Sequence, residues 1–318
     1  MESDVIPAAG YPFVQVEIHG IRRSLSTDNL TLPFKIRAAR KVIADTITDR
    51  SIGAMVVFGG YVAGPAALAA SKTGIPLVVH EANAQPGVAN RLIARRADTV
   101  FASYAPALEK LPMAEIVGSP LRATFGEFNR DEMRMAARER YGVGQDGVVL
   151  GVVGGSLGAG ALNTIARSLA IDDERGFEII HICGRPHAEE FVAASKDVDG
   201  WVVKGYEEDM PMLYAASDLV LSRGGAMTVA ELHATRTPAV VVPLPAGGAY
   251  QGLNAIDAVD AGGFVVIDQS DTAQILDTVR SLLDDTDRLG EMSRSLADSP
   301  HLSAATIVAD RVLEVYRG

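Results

Sequence analysis

Two glycine-rich stretches in the second half of the chain have the composition of phosphate-binding turns. Val148–Val153 has the pattern of a buried strand and runs into Gly154-Gly155-Ser156-Leu157-Gly158. Leu219–Ser222 has the same pattern and runs into Arg223-Gly224-Gly225. Where a strand turns directly into a helix, free backbone N–H groups and the positive end of the helix dipole can face an anion. The two turns together predict one diphosphate held between two helix N-termini.

A carboxylate lies close to the second of these turns. Glu231 falls about one and a half turns into the helix that follows Gly225, on the side of its opening residues. From there it could accept hydrogen bonds from two vicinal ribose hydroxyls. A single Gly-Gly pair is equally compatible with a simple tight turn, but its repetition in one half of the chain favours a ligand. A diphosphate beside a ribose predicts a nucleotide site.

The common dinucleotide and ATP motifs do not fit these turns. The glycines are not in G-x-G-x-x-G register, and the next strand, Glu178–Cys183, is followed by Gly184 where an acidic residue would hold an adenosine ribose. The chain also contains no G-x-x-x-x-G-K-[ST] sequence. NAD and ATP chemistry are therefore disfavoured.

Composition limits the protein class. A chain of 318 residues can hold two domains, and 48% hydrophobic with 22% charged residues is typical of a globular protein. No apolar run has the length of a transmembrane helix. A net charge of −11 argues against nucleic acid as a partner, and Cys183, the single cysteine, excludes an internal disulfide.

One region carries the opposite charge. Leucine, phenylalanine and isoleucine side chains alternate with basic ones between residues 19 and 50: Arg22, Arg23, Lys35, Arg37, Arg40, Lys41 and Arg50 with Leu30, Leu32, Phe34 and Ile36. Such a surface could rest on an anionic membrane. The alternative is an ordinary helix with one face in the core and one in water.

Short apolar strands alternate with helical patterns along most of the chain, which predicts an α/β doubly wound fold. The predicted strands are Ala54–Phe58, Leu77–His80, Thr99–Ala102, Val148–Val153, Ile179–Cys183, Leu219–Ser222 and Ala239–Val242. We predict a first domain of residues 1–122 closed by residues 303–318, a linker region of residues 123–145, and a nucleotide-binding domain of residues 146–302.

As a set, the motifs resemble the MurG family of bacterial peptidoglycan N-acetylglucosaminyltransferases. The matching pieces follow family order: Gly59-Gly60-Tyr61-Val62-Ala63-Gly64-Pro65, His80-Glu81-Ala82-Asn83, Gly118-Ser119-Pro120-Leu121-Arg122, the loop of residues 154–163, the segment of residues 223–231, and Gln251 with Asn254. They span almost the whole chain. The resemblance implies a GT-B fold, in which two Rossmann-like domains face a cleft.

The resemblance also implies an activity and a donor site. The reaction would be inverting transfer of GlcNAc from UDP-GlcNAc to lipid I, giving lipid II for the cell wall, at the cytoplasmic face of the bacterial membrane. Positions carried over from the family as contacts to UDP-GlcNAc are Asn83, Arg122, Ser156, Glu207, Ala226, Met227, Thr228, Glu231 and Gln251. At Glu207 the family usually has an apolar residue, so we expect a backbone contact to the uracil there.

The acceptor side and the chemistry follow from the same resemblance. Gly59, Gly60, Tyr61 and Gly64 are expected to hold the acceptor diphosphate. His80 and Glu81, at the end of a first-domain strand, are the candidates for the general base that takes the acceptor proton. The two helix N-termini and Arg122 could stabilise the departing UDP. Neither a metal ion nor an organic cofactor is expected.

One part of the family pattern is absent. The family begins with a strand and a Gly-Gly-x-Gly-Gly-His loop, whereas Met1 aligns with a point after that unit, so the first domain is expected to lack a strand. Three other functions therefore stay open: a UDP-GlcNAc 2-epimerase, a natural-product glycosyltransferase, and an inactive UDP-sugar-binding remnant. The basic apolar region favours a lipid diphosphate acceptor over the first two.

Overall fold

The computed structural model describes residues 2–18, 28–245 and 250–317. Within them, the strands are β1 (Met55–Val57), β2 (Leu77–Glu81), β3 (Thr99–Ala102), β4 (Glu115–Ile116), β5 (Val148–Val153), β6 (Phe177–Ile182), β7 (Trp201–Lys204), β8 (Leu219–Ser222), β9 (Ala239–Val241) and β10 (Phe264–Val266). The α-helices are α1 (Glu2–Ala8), α2 (Asp28–Asp49), α3 (Ala63–Thr73), α4 (Val88–Ile93), α5 (Ala123–Gly126), α6 (Arg130–Tyr141), α7 (Gly160–Ala170), α8 (Ala188–Ser195), α9 (Met210–Ala216), α10 (Ala226–Ala234), α11 (Tyr250–Asn254), α12 (Ile256–Asp260), α13 (Thr272–Leu283), α14 (Thr286–Ser295) and α15 (His301–Arg317).

These strands form two separate parallel sheets. The first has the order β1-β2-β3-β4, and the second has the order β10-β9-β8-β5-β6-β7. In the second sheet the chain proceeds outward from β5 through β6 to β7, then returns to β8 on the other side of β5. The carboxyl ends of β5 and β8 therefore form the topological switch point, where doubly wound folds bind ligands. The predicted α/β architecture with two doubly wound domains is confirmed.

Side chains of the second sheet alternate between two buried faces. Val149 and Val220 belong to one hydrophobic cluster, and Leu150 and Leu221 belong to another. Burial on both faces explains why these strands are nearly continuous runs of valine, leucine and isoleucine. This core fixes the positions of the turns that leave its strands.

The segment of residues 123–145, which we interpreted as a linker, packs with the second sheet. It contains α5 and α6, and α6 lies against α9. Phe125, Ala137 and Tyr141 join the same hydrophobic cluster as Val149. The first sheet is covered by α15, whose Val308 packs with Val78, Phe101 and Val117. The last helix thus returns to the first sheet after the second is complete.

The outer side of β1 carries no strand among the described residues. An apolar groove of about 440 Å³ lies between the β1 region and α15, and its lining includes Val56, Phe58, Val308 and Val312. Residues 11–18 belong to no helix or strand.

Candidate active site

The two glycine turns leave adjacent strands. β5 and β8 pair in parallel, with Val153 opposite Ser222, so the turns that follow them lie side by side at the carboxyl edge of the sheet. Each turn opens a helix, α7 at Gly160 and α10 at Ala226. The N-cap residues, Ala159 and Gly225, make no side-chain hydrogen bond to the first turn of either helix. The N–H groups of these first turns could therefore bind the oxygens of a diphosphate.

Glycine is required in these turns by close backbone contacts. A side chain at Gly158 would collide with the carbonyl of Cys183, and one at Gly184 would collide with the backbone of Gly158. Both glycines also have positive φ, 76° and 91°. A side chain at Gly224 would collide with the backbone of Gln251. The glycines therefore let the two turns pack closely against neighbouring segments.

The first turn is also held by a buried polar pair. Asn163 Nδ2 donates to the Cys183 carbonyl at 3.0 Å, and its Oδ1 lies 3.0 Å from His181 Nε2. The His181 ring stacks on Trp201, and burial lowers the pKa of His181 to about 4. A neutral His181 that is protonated at Nε2 donates to Asn163 Oδ1, so that the oxygen and the nitrogen of the Asn163 amide each have a partner.

Glu231 lies on α10 with its carboxylate partly desolvated. The phenol of Tyr214 donates to its Oε2 at 2.9 Å. Burial raises the pKa of Glu231, while the Tyr214 hydrogen bond and the charge of Arg122 act in the opposite direction. Tyr214 and Arg122 thus favour the ionised form of Glu231, which could accept hydrogen bonds from ribose hydroxyls.

The other carried-over donor residues lie on several segments of the chain. Ala226, Met227 and Thr228 form the first turn of α10, and Ser156 is exposed in the first glycine turn. Arg122 reaches from the end of the first domain to the Glu208 carbonyl at 3.4 Å. The Gln251 Oε1 accepts from the Leu244 N–H at 3.0 Å.

The side chain of Glu207 is committed to a buried cluster. Its carboxylate contacts Lys204 at 2.6 Å, Arg140 at 2.7 Å and the Tyr141 phenol at 2.8 Å. It also accepts from the N–H of Asp209. The hydrogen bonds lower the pKa of Glu207, although burial acts in the opposite direction. The side chain is thus occupied by protein partners, and a backbone contact to the uracil at this position stays a prediction.

On the first-domain side, Glu81 organises the loop that follows β2. It is almost fully buried. Its carboxylate accepts from the backbone N–H of Asn83 at 2.9 Å and of Gly87 at 3.0 Å, and from the Asn90 amide at 2.8 Å and the Asn83 amide at 3.3 Å. Three donors from its own loop and one from α4 thus surround a residue that we considered as a general base. That role stays a prediction.

His80, the other candidate base, is buried with no exposed surface. Its Nε2 lies 2.8 Å from the Gly118 carbonyl, which makes Nε2 the protonated nitrogen, and its Nδ1 has no partner among the described residues. Burial lowers the pKa of His80 and favours the neutral ring. A base role for His80 would require the acceptor hydroxyl to reach this buried Nδ1, and it too stays a prediction.

A cavity of about 250 Å³ lies beside Glu81. Its lining includes Gly59 and Gly60 from the turn after β1, Asn83 from the loop after β2, and Asn90 from α4. Gly59 and Gly60 have positive φ, 97° and 78°. Tyr61 is 70% exposed, and Gly64 lies in the first turn of α3. The structure thus brings two of the four expected acceptor residues to this cavity.

Comparison with known proteins identifies the family. The glycosyltransferase family 28 N-terminal domain matches residues 1–102, and the family 28 C-terminal domain matches residues 149–308. A Mycobacterium sp. (strain KMS) protein named UDP-N-acetylglucosamine--N-acetylmuramyl-(pentapeptide) pyrophosphoryl-undecaprenol N-acetylglucosamine transferase is 39% identical over 324 residues, covering 100% of this chain and 85% of its own. The chain belongs to the MurG group of glycosyltransferase family 28. It is therefore a glycosyltransferase.

Further relatives agree with this assignment. A Rhodococcus jostii (strain RHA1) protein of the same name is 39% identical over 330 residues, covering 99% of this chain and 85% of its own. The crystal structure of Acinetobacter baumannii MurG superposes with a TM-score of 0.75 at 28% identity, covering 99% and 88% of the two chains. A Neisseria meningitidis UDP-GlcNAc 2-epimerase has a TM-score of 0.63 at 14% identity, covering 92% and 83%. That last likeness shows the fold alone.

Two residues join the domains of this family 28 enzyme at the site, and sequence reasoning did not assign them. Asn254 is buried; its Oδ1 accepts from the Ala84 N–H at 2.8 Å, and its Nδ2 donates to the Gly224 carbonyl at 2.9 Å. Tyr104 of the first domain donates to the Ala226 carbonyl. Sequence analysis had included Asn254 with Gln251 among the family motifs but gave it no role, and it gave no signal for Tyr104. The Asn254 contacts hold the loop after β2 beside the second glycine turn, and the Tyr104 contact holds the segment after β3 against the first turn of α10.

Acidic residues that could hold a metal are not gathered at this site. The described residues contain no group of three or more histidine, cysteine or acidic side chains arranged to bind a metal ion. The sequence does contain Asp197-Val198-Asp199 and Asp285-Thr286-Asp287. The first precedes β7 at the amino edge of the second sheet, and the second lies at the start of α14. Neither follows the carboxyl end of a strand, where the glycine turns are.

Proposed function

We propose that the enzyme transfers GlcNAc from UDP-GlcNAc to the muramyl 4-hydroxyl of lipid I, with inversion at the sugar C1, and releases UDP. The observation that carries this proposal is the pairing of two uncapped helix N-termini with Glu231 at the switch point of the second sheet. Asn254 joins the second glycine turn, at Gly224, to the loop that Glu81 organises, at Ala84. The names of the relatives supply the donor and acceptor.

The chemistry requires charge stabilisation and a proton acceptor. The bond between C1 and the UDP oxygen breaks while the acceptor oxygen bonds to C1 and loses its proton to a base. The N–H groups that open α7 and α10 would bind the diphosphate as its negative charge grows. The charge of Arg122 acts to lower the pKa of Glu231 and so favours the ionised carboxylate. The acceptor diphosphate would occupy the cavity between Gly59 and Asn90.

The donor site is tested by Glu231→Gln. We expect UDP binding to weaken by about 1.5–3 kcal/mol, because the charge-assisted hydrogen bond from the ribose to the carboxylate is lost. Isothermal titration calorimetry measures the change. Glu139→Gln, on the exposed side of α6, is the matched control and should bind UDP as the unmodified protein does. Unchanged affinity in Glu231→Gln would remove this residue from the ribose site.

The reaction product distinguishes the proposed transfer to lipid I from the three alternative functions. Incubation with UDP-GlcNAc and lipid I should add one N-acetylhexosamine to the lipid, which mass spectrometry detects. A 2-epimerase would instead convert UDP-GlcNAc to its C2 epimer without lipid, and a binding remnant would bind UDP without either product. A natural-product glycosyltransferase would glycosylate a different acceptor and leave lipid I unmodified.

We further propose that the first domain rests on the anionic cytoplasmic face of the membrane. None of the described helices has the length and apolar character needed to cross a bilayer. α2 packs on α3, which packs on α4, and these helices expose Phe34 (76%) and Leu92 (65%) together with Lys41 and Arg91. Arg22 and Arg23, also expected in this surface, lie outside the described residues. The other side of α2, at Ala44 and Ile47, is core.

Vesicle binding tests the membrane proposal. Sedimentation with phosphatidylglycerol-containing vesicles should be strong at low salt and weak at high salt, because the basic residues act through a screened potential. Phe34→Glu should reduce binding, whereas Ile171→Glu, at an exposed apolar position of the second domain, should not. Equal binding to neutral and anionic vesicles, or binding that persists in high salt, would contradict the proposal.

A further inference from the structure

The Glu231 carboxylate has a defined orientation before any ligand binds. Within residues 2–18, 28–245 and 250–317, its one hydrogen-bond partner is the Tyr214 phenol, which occupies Oε2. Oε1 has no partner in that part of the chain. One oxygen is thus fixed by the protein, and the other is left to accept a hydrogen bond.

Tyr214 is itself held rigidly. Its side chain is fully buried, and its ring packs on Phe125 with 6.4 Å between centroids. Its backbone carbonyl accepts from Arg130 at 2.7 Å. Burial, with the nearby Glu231 carboxylate, raises the pKa of Tyr214 well above its ordinary value. The phenol therefore stays protonated and remains a donor.

Tyr214 also joins Glu231 to two other parts of the donor site. It lies on α9, which begins at Met210, directly after the segment of Glu207 and Glu208. Phe125 lies under the guanidinium of Arg122, 5.6 Å from its carbon to the ring centroid. The position of Glu231 thus depends on packing shared with Arg122 and with the expected uracil contact.

We propose that Tyr214 is a positioning residue for ribose recognition, which orients Glu231 so that its free oxygen meets the ribose hydroxyls and so determines the selectivity for ribonucleotide donors. The inference rests on the proposed role of Glu231 in the donor site. Tyr214 acts through Glu231 and makes no contact of its own with the nucleotide. Replacing Tyr214 should therefore have no effect on ribose selectivity in a protein in which Glu231 is already replaced.

Calorimetry with UDP and with 2′,3′-dideoxy-UDP, which lacks both hydroxyls, tests the proposal. Tyr214→Phe keeps the ring against Phe125 and removes only the hydroxyl. The ratio of UDP to dideoxy-UDP affinity should fall about 3- to 10-fold, the effect of losing one orienting hydrogen bond. Glu231→Gln and the double variant should have the same ratio as each other. Ser217→Ala, which removes a buried hydroxyl just after the end of α9 that bonds the Leu213 carbonyl, should leave the ratio unchanged.

The outcomes distinguish a failure of the Tyr214 proposal from a failure of the ribose role of Glu231, on which it rests. If the unmodified protein binds both nucleotides equally, the ribose role of Glu231 fails and this inference fails with it. If Glu231→Gln loses the preference for UDP but Tyr214→Phe keeps it, only the role of Tyr214 is refuted. An equal loss of affinity for both nucleotides in Tyr214→Phe would show a purely structural role and would also refute the proposal.

Discussion

Glu81→Gln is expected to lower the rate of GlcNAc transfer by about 10²–10³-fold while leaving UDP affinity unchanged. The Glu81 carboxylate accepts hydrogen bonds from the backbone of Asn83 and Gly87 and from the amide of Asn90. A glutamine would place its NH₂ group against one or more of these donors. The loop would shift, and misplacement of about 1 Å in an active site can cost about 10²-fold in rate. UDP alone, which lacks the sugar, is expected to bind through the glycine turns and Glu231 of the second domain, and none of these residues is a hydrogen-bond partner of Glu81.

The experiment combines rates with nucleotide binding. Transfer to lipid I is measured with saturating UDP-GlcNAc, and UDP affinity is measured by calorimetry. Glu115→Gln, an exposed glutamate on β4, is the control and should retain full transfer. Full activity in Glu81→Gln would show that the loop does not need this carboxylate.

The pH dependence of the residual rate then separates positioning from proton transfer. If Glu81 only holds its loop, the variant should keep the shape of the unmodified pH–rate profile at a lower level. If Glu81 is the general base, the limb of the profile that belongs to the base should be lost.

The donor side of the site could be predicted from local sequence. A strand, a glycine pair and a helix follow each other within a few residues, so the chain itself determines that the turn after Val153 and the turn after Ser222 open helices. Parallel pairing of β5 with β8 then places them together. The identity of the ligand was predicted from the family resemblance, because the backbone alone does not distinguish one diphosphate from another.

The strands that sequence analysis did not predict share one property. β4, β7 and β10 each form an edge of their sheet. They have two to four residues, and edge strands need less burial, so their apolar pattern is shorter and weaker than that of central strands. The strands that were predicted include all the central ones.

Contacts between distant parts of the chain could not be predicted either. Asn254 bonds Ala84, 170 positions away, and Tyr104 bonds Ala226, 122 positions away. Glu81 was considered as a base because a carboxylate at a strand end is chemically suitable, yet its surroundings depend on how residues 83–90 fold back over it. Such roles depend on tertiary geometry that no local spacing encodes.

Arg138 gives the clearest case of such geometry. Its side chain has no exposed surface, although it lies on α6 in a stretch rich in charged residues. The guanidinium donates to the carbonyls of Gly144 at 2.9 Å, Gln145 at 2.6 Å and Gly147 at 2.8 Å, and to Asp218 at 2.9 Å. It thereby joins α6, the turn before β5 and the start of β8.

Arg138→Met is expected to destabilise the second domain by about 3–5 kcal/mol, because the substitution leaves a partly buried carboxylate and several carbonyls without this partner. Arg134 still contacts Asp218 at 2.6 Å and limits the loss. Urea unfolding followed by circular dichroism measures the change. The control is Arg167→Met on the exposed side of α7, which should change the free energy of unfolding by less than about 0.5 kcal/mol. A loss of the same small size in Arg138→Met would mean that water replaces the guanidinium in the folded protein and that the turn before β5 is held by packing alone.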